Sequence, residues 1–211
     1  MSRFTILLGG DLTVTPRLHE QIAGTHVVAA DSGLLHAAPL KVAPELWVGD
    51  FDSTEPDLLD AYVGIERIIY PADKDSTDGE LAVGEALKRG ATSLVLAGAF
   101  GGPRADHAFL HLALAIQLAE RGVAVLLTSG TREGSVLSHG RRSYDYPRGT
   151  IFSVLGFSEL RGLTVEGAEW PLDDVTVPFG SSLTISNVVK DGLVVRLREG
   201  RALLVATLAA T

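Results

Sequence analysis

Seven aspartates, Asp31, Asp50, Asp52, Asp73, Asp75, Asp78 and Asp106, fall in four short stretches, each after an apolar run. One such aspartate would ordinarily form a turn or cap a helix. Four loops carrying them together pose a different problem, because neighbouring carboxylates raise each other's pKa unless a cation neutralises them. The chain has no cysteine, so oxygen ligands dominate and favour a hard ion, magnesium over zinc. Magnesium keeps waters and shares carboxylates with substrate phosphates, which points to phosphoryl or diphosphoryl transfer. The familiar phosphate cradles, G-x-x-x-x-G-K-[ST] or G-x-G-x-x-G after the first strand, are missing. Gly98, Gly101 and Gly102, followed by Arg104, offer a substitute: backbone N–H groups for phosphate oxygens and a guanidinium that holds two of them. His107 and His111 stand four apart, a zinc-pair spacing, without the glutamate that would follow the first histidine in a metalloprotease.

Elements must bring these loops together. Near-continuous apolar runs predict strands at Phe4–Leu8, His26–Ala30, Leu46–Val48, Arg67–Tyr70, Ser93–Ala97 and Val123–Thr128, the pattern of strands buried on both faces of a parallel sheet. Helices are predicted between them. Thr15-Pro16 supplies an N-cap and a proline at the first helical position. Thr77 with Glu80 forms a capping box for a helix to Arg89, stopped by Gly90. A third helix spans about Ala105–Arg121. In an open α/β sheet, loops leaving the carboxyl edge bind ligands, and that edge would collect the aspartates. After Ser129, glycine and proline interrupt short strand-like segments and helical periodicity ends. The expected fold is therefore α/β: a mostly parallel sheet flanked by helices over residues 1–129, then a smaller all-β, sandwich-like domain over 130–211.

Composition narrows the partners. A net charge of −8 excludes a basic nucleic-acid or anionic-membrane surface, yet permits ATP bridged by magnesium. The apolar segments at either end, Met1–Gly10 and Ala202–Ala210, are too short for a secretory core or a membrane helix and read as strands. The absence of cysteine fits a cytoplasmic protein.

Trp47-Val48-Gly49-Asp50-Phe51-Asp52-Ser53, Asp73-Lys74-Asp75-Ser76-Thr77-Asp78, and the glycine pair followed by Arg104, Asp106 and His107 resemble the thiamine pyrophosphokinase family in order and rough spacing. Gly167-Ala168-Glu169-Trp170-Pro171-Leu172 and Ser186-Asn187 resemble two later segments of that family. The resemblance covers essentially the whole chain. It implies a homodimeric diphosphotransferase with ATP on the first domain and thiamine near the dimer interface. By that analogy Asp50, Asp52 and Asp78 carry Mg2+, and Asp75 assists as a metal partner or by orienting the thiamine hydroxyl. Asp75, Asp78 and Arg104 form the catalytic set. Asp31, Lys74, Thr77, Gly101, Gly102, Arg104 and Asp106 meet ATP, and Trp170, Ser186 and Asn187 meet thiamine. The chain departs from the family in three places: Asp31-Ser32-Gly33-Leu34-Leu35 replaces Asp-Gly-Gly-Ala-Asn, Pro103 is an additional residue, and His111 stands where asparagine is common.

Two alternatives remain open on sequence. Asp50-Phe51-Asp52-Ser53-Thr54 fits D-x-D-x-T, the nucleophile loop of haloacid-dehalogenase-like phosphatases, with Asp50 as nucleophile. A non-catalytic thiamine- or nucleotide-binding module is the other.

Overall fold

A computed structural model describes residues 2–51, 56–71, 73 and 75–209. The first half alternates strands and helices. In chain order these are β1 (Ser2–Leu7), α1 (Pro16–Ile22), β2 (His26–Ala30), a 3-10 segment (Asp31–His36) running into α2 (Ala37–Leu40), β3 (Leu46–Gly49), α3 (Pro56–Ala61), β4 (Glu66–Ile69), α4 (Asp78–Lys88), β5 (Ala91–Ala97), α5 (Ala105–Glu120) and β6 (Ala124–Thr128). The strands pair in the order β6-β5-β1-β2-β3-β4, all parallel. Successive β1 side chains explain why both faces are covered. Phe4, Ile6 and Leu8 enter a core with Ala82 and Ala86 of α4 and Ala115 and Ile116 of α5. Leu7 enters the opposite core with Leu18 and Ile22 of α1 and Leu40 of α2. Alternation along one strand thus feeds two helical layers.

The sequence-derived caps behave as expected. Thr15 accepts from the Leu18 N–H at 3.1 Å. The Thr77 N–H donates to Glu80 at 3.0 Å, while the Glu80 N–H donates to the Thr77 hydroxyl at 3.3 Å. Each bond satisfies a donor that a helix start leaves open.

The second half is all strand: β7 (Arg132–Leu137), β8 (Gly140–Ser143), β9 (Ile151–Gly156), β10 (Leu160–Ala168), β11 (Leu172–Val177), β12 (Asn187–Leu197) and β13 (Ala202–Thr207). These pair antiparallel, and β7 joins β6, so hydrogen bonding continues unbroken from the parallel half. β12 begins beside β9 and then crosses to β10 and β8, turning the sheet back over a separate core of Phe152, Val154, Leu163, Val195 and Leu204. Arg17 of α1 ties the halves together by forking onto the buried Glu133 of β7, with Nη2 3.1 Å from its carboxylate. The same guanidinium donates to Asp145 at 3.0 Å. Among the described residues, no helix is long and apolar enough to cross a membrane.

Candidate functional site

Chain order reverses at the centre of the parallel sheet: β2, β3 and β4 extend to one side of β1, β5 and β6 to the other. Such a switch point opens a crevice, since the loops after its two strands diverge. A cavity of about 220 Å³ lies there. Leu8, Gly9 and Gly10 line it after β1, Asp31 and Ser32 after β2, and Gly101, Pro103 and Arg104 after β5. Thr77, Asp78 and Gly79 from the start of α4 close a third side, and His107 and His111 of α5 complete it.

The two central loops approach so closely that only glycine fits. A Cβ on Gly10 would stand 2.3 Å from the Gly98 carbonyl oxygen, and one on Gly98, at φ 80°, 2.3 Å from that of Leu8. Backbone lies bare at the crevice as a result.

Asp31, at φ 46°, and Phe51, at φ 61°, both adopt left-handed backbone, a conformation that costs non-glycine residues on the order of 1–3 kcal/mol. Trp47 explains how they are held. Its fully buried indole donates from Nε1 to the Asp31 carbonyl at 3.0 Å, and its ring meets the edge of Phe51 at 4.6 Å. The Arg67 guanidinium covers Trp47 at 5.3 Å. One core side chain thereby fixes the loops on which Asp31 and Asp50 stand.

Arg104 is exposed and bidentate on Asp106, Nε at 3.0 Å and Nη2 at 2.7 Å. That fork holds the Asp106 carboxyl well below the usual carboxylate range, and Asp106 raises the guanidinium in turn. His111 is buried, and its Nδ1 lies 3.2 Å from the Ala99 carbonyl oxygen. Burial lowers its pKa, with the Ala99 carbonyl opposing part of the effect.

Of the residues singled out by sequence, Asp31, Thr77, Asp78, Gly101 and Arg104 meet at this cavity. Asp50 directly follows β3, next along the same edge. Gly102 backs onto Gly10 behind the lining, and Asp106 engages Arg104. Asp75 is exposed and outside the cavity wall. Asp52 and Lys74 lie outside the described residues. Sequence reasoning missed Gly9, Gly10 and Ser32 as site residues, and it noted His111 as half of a zinc-pair spacing and as a departure from the family's asparagine, without a nucleotide role. Paired glycines immediately after the first strand were the signal for the former. Among the described residues, no three His, Asp or Glu side chains group closely enough to hold a metal.

Trp170, Ser186 and Asn187 belong to the β half. Asn187 is buried and clamps Trp170 by its backbone: Nδ2 donates to the Trp170 carbonyl at 2.7 Å, and Oδ1 accepts the Trp170 N–H at 3.2 Å. The Trp170 side chain is left outside, 59% exposed, and Phe179, Leu183 and Ile185 are exposed too. Ser186, at φ 60°, is anchored by its N–H on the Ser153 hydroxyl at 3.0 Å.

Comparison with known proteins identifies the family and the fold. The sequence model of the thiamin pyrophosphokinase catalytic domain matches residues 21–127, and that of the thiamin pyrophosphokinase vitamin B1 binding domain matches residues 142–201. A thiamine pyrophosphokinase of Bacillus subtilis is 27% identical over 192 residues, covering 89% of each chain. The crystal structure of thiamine pyrophosphokinase from Bacillus subtilis superposes with TM-score 0.85 at 23% identity, covering 98% of this chain and 99% of its own. That of a thiamin pyrophosphokinase family protein from Enterococcus faecalis gives 0.82 at 25% identity, covering 99% and 100%.

Proposed function

The chain belongs to the thiamin pyrophosphokinase family, and from that premise we propose that it transfers the diphosphate of ATP to the hydroxyl of thiamine, releasing AMP. The observation that carries this reading is the meeting of Asp31, Asp78, Gly101 and Arg104 on one crevice at the switch point. The thiamine hydroxyl oxygen forms a bond to the β-phosphorus, and the bond from that phosphorus to the oxygen bridging the α-phosphorus breaks. Such transfers depend on alignment and charge neutralisation. Bare backbone at Gly10 and Gly101 receives phosphate oxygens, with Gly102 supporting that loop. Arg104 exchanges the two oxygens of Asp106 for two of phosphate, so Asp106 keeps the fork aligned until ATP arrives. Thr77 and Asp31 bound the nucleotide, and Lys74 adds positive charge. Asp75 accepts the hydroxyl proton.

The donor set suits magnesium: carboxylates only, beside a crevice open to phosphates. Magnesium needs few protein carboxylates when phosphate and water supply the rest. Asp50, Asp52 and Asp78 would hold it, and it would offset charge on the transferring group. The phosphatase alternative places its nucleophile loop after the first strand of the sheet, whereas Asp50 follows β3, and it gives Asp78 and Arg104 no role.

Residues 1–129 serve ATP and residues 130–211 serve thiamine and dimerisation. Five pairing steps separate β12 from β5, roughly 24 Å along the sheet. The Trp170 face therefore serves a crevice more readily on a second copy, and the exposed Phe179, Leu183 and Ile185 form the apolar surface of that homodimer. Trp170 and Ser186 contact thiamine, an aromatic face suiting its positive charge, while Asn187 acts by holding Trp170. A cytoplasmic location fits a chain without cysteine. Incubation with ATP, magnesium and thiamine tests the reading: AMP and thiamine pyrophosphate should appear in equal amounts, and phosphate release without thiamine would overturn it.

A further inference from the structure

His111 is a buried titratable side chain in the crevice wall that the proposed chemistry does not use. Its ring orientation is determined. The Ala99 carbonyl oxygen only accepts, so Nδ1, 3.2 Å away, carries the hydrogen. In the neutral ring favoured by burial, Nε2 then presents a lone pair. Nε2 has no hydrogen-bond partner among the described residues, and it faces the start of α4. A Cβ on Gly79 would lie 3.5 Å from it, so the absence of a side chain at 79 leaves room beside the nitrogen. The ring is sunk between α4 and α5, whereas the Arg104 side chain is largely exposed. The crevice therefore has a guanidinium at its mouth and a neutral acceptor on its wall.

We propose that His111 Nε2 is a specificity-determining acceptor for a neutral donor of the nucleoside, a ribose hydroxyl or the adenine amino group, with the phosphates toward Arg104. A lone pair repels phosphate oxygens and accepts only N–H or O–H. A site built around such an acceptor discriminates against an analogue lacking the donor, because the bound analogue shields the nitrogen from water and leaves it unpaired. The assignment rests on ATP occupying this crevice.

Dissociation constants of AMP, 2′-deoxy-AMP, 3′-deoxy-AMP and purine riboside monophosphate, measured by calorimetry without metal, test it. For the natural chain, one of the three analogues should bind about 10-fold or more weaker than AMP; that analogue identifies the donor. In His111→Leu the ratio should collapse to within about twofold, and in His111→Gln, whose amide oxygen accepts, it should partly return. Should His111→Leu fail to fold, loss of the ratio in a folded His111→Phe serves equally. A ratio unchanged in the folded variants, or no discrimination in the natural chain, overturns the proposal. The turnover assay separates this from the activity itself: discrimination without thiamine pyrophosphate formation would refute the diphosphotransferase reading and leave the His111 assignment standing.

Discussion

The two halves of the molecule present their functional residues in opposite ways. At the crevice, chemistry stands on backbone made bare by glycine, beside left-handed turns at Asp31 and Phe51 that the buried Trp47 braces from beneath. In the β half, buried Asn187 is turned inward onto the Trp170 backbone, while the Trp170 ring, Phe179, Leu183 and Ile185 are turned outward. The first region is preorganised within one chain, as charge-stabilising sites require. The second is a surface, and its exposed aromatic and aliphatic groups gain meaning only against something else.

The contrast can be broken most directly at Asp78. Asp78→Asn keeps size and helix-start chemistry but removes the charge; kcat/KM for thiamine pyrophosphate formation should fall about 100-fold or more, with little change in Tm. A loss below tenfold would remove Asp78 from the chemistry. Next comes the brace. Trp47→Phe preserves an aromatic core residue while deleting the donor to the Asp31 carbonyl, and unfolding in urea should show about 1–3 kcal/mol lost. KM for ATP should rise and that for thiamine should hold; equal effects on both would mean that Trp47 acts on the whole fold. On the other half, Phe179→Asp should weaken the proposed homodimer at least about tenfold in analytical ultracentrifugation. Activity should then fall with dilution while ATP binding persists. A chain that is monomeric before substitution would refute the shared-site arrangement.

The smallest effect concerns pH. Burial depresses the pKa of His111, so the folded state resists a proton that the unfolded chain accepts near its ordinary value of about 6.5. Its contribution to stability is complete above that pH and is lost as pH falls from there toward the folded pKa. Replacing His111 with Asn should reduce the drop in Tm between neutral and mildly acidic buffer, whereas an identical drop would show that other groups govern it.

Strands were legible because two-faced burial leaves uninterrupted apolar runs: His26–Ala30 matches in full, and the other parallel strands differ only at their ends. The long helices were legible from caps and 3.6-residue spacing. What escaped was short or non-local. Asp31–His36 and Ala37–Leu40 carry Pro39 and too few residues to show a period, and Pro56–Ala61 spans less than two turns. At the site, Asp31, Thr77 and Asp78 could be found from their position after strands or at a helix cap. Gly9 and Gly10 showed only as a glycine pair after the first strand and His111 only by its spacing from His107 and its place in the family pattern, because their convergence depends on β5 lying beside β1, a pairing of residues about 90 positions apart. Similarly, the pairing of Arg104 with Asp106 depends on how the start of α5 turns.

The unbroken ladder from β6 into β7 has a consequence for dissection of the chain. A fragment beginning at residue 130 would bare a row of N–H and C=O groups along β7 that β6 normally covers. Such a row is a template for strand addition by other copies. The proposed division of labour between the halves therefore does not make them separable, and the excised piece is expected to polymerise edge to edge.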